Sequence, residues 1–137
     1  MLSIAECYLA KGRTETAIGL LREIVAAYPS FADAHLRLAE LLATYPVARF
    51  RDGQAALCHA QEPCRLVSMP KLSHLNALAA AYAEAQQFEH AVEMARLALE
   101  KGAKLKRDLQ PLQMRLDLYS SGKPYRSHAM VSTNPSY

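Results

Sequence analysis

Cys58, His59 and Cys64 lie close enough along this chain to suggest a soft-metal site. Zinc asks for thiolates and imidazoles converging tetrahedrally, and structural sites usually draw on two ligand pairs. Cysteines six positions apart do not share one helical face, and Cys7 supplies no second pair, so buried thiols are expected and no metal. His35, His59, His74, His90 and His128 are scattered, and none has a nucleophile beside it at motif spacing. A phosphate loop, a nucleophile elbow and paired catalytic acids are also missing from the sequence, so no catalytic residue, no cofactor and no enzyme activity are expected. Glu6, Glu40 and Glu84 recur at corresponding places, which reads either as an acidic face suited to basic peptides or as an ordinary solvated one.

Charge and composition narrow the classes further. A formal net charge of +3 over 137 residues is small for nucleic-acid binding, which needs basic residues concentrated on one face. The densest cluster, Lys101, Lys104, Lys106 and Arg107, reads as a solvated helix junction. Three cysteines without framework spacing fit reduced thiols, and hence a cytoplasmic location. No run of 18 apolar residues occurs and no leader pattern opens the chain, so neither direct membrane insertion nor a signal peptide is expected.

The elements that must position any site are helical. Hydrophobic residues make up 51% of the chain, Ala and Leu prominent among them, and no stretch alternates with period two. Leu2, Ala5 and Leu9, then Ala17, Leu20, Leu21, Ile24 and Val25, mark two amphipathic helices broken at Gly12. After Pro29, a third helix is expected from about Phe31 to Thr44, with Ser30 and Asp33 as a capping box. An irregular loop around Pro46 follows, and Asp52 should cap a fourth helix from Gly53 to about Ser68, kinked near His59 to Pro63. The fifth helix is expected over 71–85 and the sixth over 89–101, with Gly102 in the left-handed position that ends it. A seventh, carrying Leu109, Leu112, Leu116 and Tyr119, should start near Arg107 or Asp108 so that Pro111 falls in its first turn. Residues 122–137 lack an apolar period and read as an extended or disordered tail.

One grammar recurs through these helices: a large residue followed by a small one, as Tyr8 and Ala17, Leu42 and Ala56, and Tyr82 and Ala91. The first and third pairs share a nine-residue gap, and the second is five residues longer because of the inserted loop. Such self-similarity marks a helical solenoid. The pattern resembles the tetratricopeptide repeat, whose period is about 34 residues. Tyr8, Ala17 and Pro29 fall on its large, small and Pro positions; Ala39, Leu42 and Ala56 serve a second repeat; Leu75, Leu78, Ala79, Tyr82, Ala91 and Ala98 serve a third. The departures are the insertion, Pro63 near a position the family fills with Ala, and Ala103 where a Pro would stand.

The resemblance implies an all-α, right-handed superhelical solenoid of about three antiparallel helix pairs plus a C-terminal capping helix. The repeats would be about 1–30, 31–70 and 71–103, the cap 104–121, and the whole domain 1–121. Arg51-Asp52-Gly53 and the stretch from Tyr119 to Tyr125 also resemble C-terminal repeats of larger bacterial members, which implies that other repeats or another domain precede Met1. For function the resemblance implies a protein-interaction scaffold that takes a peptide or partner protein in a groove lined by the first helix of each pair. Mapped onto this chain, the groove residues are Leu2, Glu6, Leu9, Leu36, Arg37, Glu40, Ser73, Asn76, Ala80 and Ala83. Leu2, Glu6 and Ser73 stand where a subtype that grips a C-terminal carboxylate would carry its clamp, so that subtype is not expected. The alternative is a structural unit stacking through an open N-terminal edge of Met1, Leu2 and Ile4 on another copy, as a homodimer, or on a preceding domain.

Overall fold

The computed structural model describes residues 2–67 and 69–127. Among them the chain forms seven α-helices and no strand: α1 Leu2–Ala10, α2 Thr14–Ala27, α3 Ala32–Thr44, α4 Gly53–Leu66, α5 Leu72–Glu84, α6 Phe88–Lys104 and α7 Gln110–Ser120. Helices α1 and α2, α3 and α4, and α5 and α6 pack as consecutive pairs, α3 bridges to α2 and α5, and α7 closes against α6. This is the layout of a helical repeat stack.

The large-small grammar acquires its meaning here. Ala17, Ala56 and Ala91 are all completely buried, and a methyl at each lets one helix approach its partner at close range. Leu21, Leu38, Leu41 and Leu42 fill one continuous core with Ala56, whereas Ala91 lies in a second cluster. Tyr82 packs between that core and a second cluster containing Leu116 and Tyr119, while Tyr8 is half-buried at the first pair.

Four helix ends share one device. After α1, α5, α6 and α7 a single residue turns left-handed: Gly12 (φ 77°), Gln86 (64°), Lys106 (58°) and Gly122 (73°). The next amide then donates back to a carbonyl of the last turn, Arg13 to Tyr8, Gln87 to Tyr82, Arg107 to Gly102 and Lys123 to Leu118. This pairing satisfies carbonyls that the helix itself leaves free. Gly102 therefore does not end α6 as expected. It lies buried inside the helix, where a Cβ would meet Leu112 Cδ1 at 2.6 Å, so its smallness admits α7. Lys106 takes the left-handed position instead.

Two other expectations are corrected. The Ser30 and Asp33 capping box does not form: Phe31 occupies the cap of α3, with no side-chain hydrogen bond there. The regular part of α7 begins at Gln110, a little later than expected, with Pro111 in the first turn as its missing N–H requires. Asp52 does cap α4, its Oδ1 accepting from the Ala55 amide at 3.1 Å. Helix α4 continues through the buried Pro63 to Leu66.

Arg51 and Tyr45 tie the inserted loop to its surroundings. It contains a 3₁₀ turn, Ala48–Phe50, and Arg51 reaches back to donate through Nη1 to the carbonyls of Tyr45 (2.7 Å) and Pro46 (3.0 Å). Tyr45 in turn shares a 2.6 Å hydrogen bond with Thr14 of α2, and its ring meets Phe50 edge-on. Past α7, Lys123–Ser127 has no regular structure but is held, Ser127 donating its amide to the Thr44 carbonyl at 2.9 Å. The rest of the expected tail, from His128 onward, and Met1 lie outside the described residues.

Candidate partner-binding groove

Helices α1, α3, α5 and α7 converge on a cavity of about 340 Å³ lined by Leu2, Asp33, Leu36, Arg37, Glu40, Ser73, Asn76 and Arg115. Six of the ten expected groove residues meet there: Leu2, Leu36, Arg37, Glu40, Ser73 and Asn76. Their spacing explains it. Residues 36, 37 and 40, and residues 73 and 76, fall on one helical face at intervals of three and four.

The other four are placed differently. Glu6 stands beside Arg37, its Oε1 3.1 Å from Nη2. Leu9 packs half-buried against the core. Ala80 and Ala83 correct the expected lining: they are 2% and 1% exposed, Ala80 inside the main core and Ala83 in the cluster with Leu116 and Tyr119. Ala80 is covered by the main core and Ala83 by Leu116 and Tyr119 of α7, so both serve packing.

Arg115 and Asp33 were not anticipated. Arg115 comes from the capping helix and sits between the inward-facing Leu112, Leu116 and Tyr119, a pattern that marks only the apolar side of that helix. In the fold its guanidinium lies 3.5 Å from Glu40 and 4.1 Å from the centre of the Tyr125 ring, a cation–π distance. Burial pulls its pKa down, but Glu40 and the neighbouring tyrosines outweigh that and leave it raised, firmly cationic. Burial pushes the Tyr119 phenol up to about 12, against the pull of Arg115, and the phenol stays neutral.

Of the three recurring glutamates, Glu6 stays exposed, while Glu40 and Glu84 are partly shielded. Each meets an arginine: Glu6 with Arg37, Glu40 with Arg115, and Glu84 with both Arg51 (3.3 Å) and Arg126 (2.8 Å). Glu84 is the most shielded, and it joins the inserted loop to the segment following α7. A second cavity, about 150 Å³, continues the groove past Arg37, Glu40 and Arg115, and is walled by Leu41, Thr44, Tyr125 and Ser127.

Of the two thiols expected to be buried, Cys58 is exposed and Cys64 only half-buried. His35 and His59 contact each other through Nδ1 at 3.1 Å, while His35 Nε2 donates to the Pro29 carbonyl at 2.8 Å. Burial raises the Cys64 thiol pKa, opposite to what a thiolate ligand needs. Among the described residues no three His, Cys, Asp or Glu side chains come together to hold an ion.

Residues 1–41 match the family model of the tetratricopeptide repeat. Together with the all-helical stack, that match supports a repeat protein of the tetratricopeptide class. No curated protein and no solved structure matches the chain. Tetratricopeptide repeats generally mediate protein–protein interaction and typically serve as non-catalytic scaffolds. Among the described residues no helix is long and apolar enough to cross a membrane.

Proposed function

We propose that this chain is a protein-interaction scaffold that takes an extended peptide or partner segment along the face shared by α1, α3 and α5. The observation that carries the reading is the 340 Å³ cavity where those helices meet α7, with Leu2 and Leu36 as apolar contacts and Arg37, Ser73 and Asn76 as hydrogen-bonding groups. A few placed polar groups around apolar surface give a partner both affinity and register. The reading assigns no catalytic step to the chain.

Affinity capture with the purified chain, compared with the double variant Arg37→Glu, Asn76→Ala, tests it. Partners should be lost from the variant while its helical signal and melting profile stay close to wild type. An unchanged set of partners would remove the groove assignment.

A second reading draws support from α1, which buries only Ala5 among its described residues and leaves Ile4 54% exposed. Such an edge suits stacking on another copy or a preceding domain. Light scattering across a wide concentration range separates the two readings, since edge stacking requires a concentration-dependent dimer.

A further inference from the structure

The segment after α7 behaves as a ligand of its own scaffold. Lys123 closes the helix by donating to Leu118, and the chain then turns back across the C-terminal ends of α3 and α5. There Tyr125 packs beneath the Arg115 guanidinium and against the cluster of Ala83, Leu116 and Tyr119. Arg126 places Nη1 2.8 Å from Glu84 Oε1 and 3.4 Å from the Ala43 carbonyl oxygen. Ser127 donates its amide to Thr44 O at 2.9 Å. An aromatic anchor, a cation on a shielded carboxylate and a main-chain hydrogen bond to a helix's last turn are together how an extended peptide is held by a groove.

The receiving groups explain why this contact is more than a chain end resting on a surface. Residues near a helix C-terminus carry carbonyls without intrahelical donors, and those of Ala43 and Thr44 are supplied here by Arg126 and Ser127. Glu84 has Arg51 on its other oxygen at 3.3 Å, so its carboxylate is held from both sides. The same segment walls the smaller cavity, which shares Arg37, Glu40 and Arg115 with the larger one. A partner lying along the groove would therefore run into Tyr125 and Ser127.

We propose that Tyr125-Arg126-Ser127 is a built-in occupant of the groove, and that a partner reaching Glu84, Thr44 and Arg115 is an extended peptide carrying an aromatic residue followed by a basic one, which displaces it. The inference rests on the peptide-binding reading of this face. Being tethered, the segment competes at an effective concentration on the order of millimolar, so it screens out weak partners without new chemistry.

The test uses the full-length chain, wild type and Tyr125→Ala, Arg126→Ala, with a fluorescent synthetic peptide of sequence Ser-Gly-Lys-Pro-Tyr-Arg-Ser as the probe. Circular dichroism first establishes that the double variant keeps its helices. Fluorescence anisotropy should then show the variant binding the probe about tenfold more tightly than wild type, and a probe with Glu in place of Arg binding neither. Equal binding by both chains, or binding by neither, would overturn the proposal. Hydrogen exchange gives a readout that needs no partner: the Ser127 amide should be protected in wild type and released by Arg126→Glu. Exchange at the rate of an unstructured amide in wild type would refute the built-in occupant even if partner capture through Arg37 and Asn76 succeeds. A protected Ser127 with capture unaffected by those two residues would instead count against the groove assignment.

Discussion

Gly53, at the start of α4, lies against Glu84, at the end of α5, so closely that a Cβ would fall 2.9 Å from the Glu84 carbonyl carbon and oxygen. Helices α4 and α5 meet backbone to backbone at this point. Gly53→Ala is expected to cost about 1–3 kcal/mol, the usual range for overpacking, because neither backbone can step aside. Gly102→Ala should cost less. There the clash is with the terminal methyl of Leu112, which can rotate, and alanine recovers about 1 kcal/mol of helix propensity. Chemical denaturation of the two variants orders them, and a Gly53 variant as stable as wild type would contradict the close approach.

The N-cap of α4 offers a cleaner measurement. Asp52 is exposed and its one side-chain hydrogen bond goes to the Ala55 amide, so Asp52→Ala should lower stability by about 1 kcal/mol. Asp52→Asn should retain most of it. Ser30→Ala, at the capping box that does not form, should change stability by less than about 0.5 kcal/mol.

Acid should loosen the chain through two histidines. Burial, then the nearby His35 and Arg22, lower the pKa of His59 from 6.5; burial, then Lys71, lower that of His74. His74 Nδ1 must also stay unprotonated to accept the Lys71 amide at the start of α5. For a base with a depressed native pKa, the unfolded chain binds protons first as pH falls. Stability is therefore fully present above 6.5 and declines as pH drops from there toward the native values. Melting temperatures at pH 7.5 and about 5.5 should show this decline, and it should be smaller in His59→Gln and His74→Gln.

Arg51 should prove irreplaceable by lysine. Its planar head serves the carbonyls of Tyr45 and Pro46 and the carboxylate of Glu84 together, which a single ammonium on a flexible stem does not reproduce. Arg51→Lys and Arg51→Ala should both open the Tyr45–Asp52 loop to limited proteolysis, with a loss of about 1–3 kcal/mol from carbonyls left without donors. Cleavage no faster than in wild type would show the loop to be held by other contacts.

Much of this architecture was legible in the residues alone. Ala17, Ala56 and Ala91, at the small positions of the repeat, are all fully buried, because helical periodicity places such residues on the inward face whatever lies opposite. The same periodicity brought Leu36, Arg37, Glu40, Ser73 and Asn76 to one cavity. Ala80 and Ala83 share that periodicity yet are covered, Ala80 by the main core and Ala83 by the docking of α7, which spacing along one helix does not reveal.

What the sequence by itself determined was local and periodic: the helices, their breaks, the small residues at close approaches and the cap at Asp52. Tertiary structure alone decided the long-range pairings. Gly102 looks like a helix end until α7 lies over it, and Glu40 and Glu84 look like free surface acids until Arg115 and Arg126 arrive from 75 and 42 residues further along. Spacing along a helix fixes which side a residue faces; what it meets there depends on how separate helices dock, and no neighbouring residue in the chain encodes that.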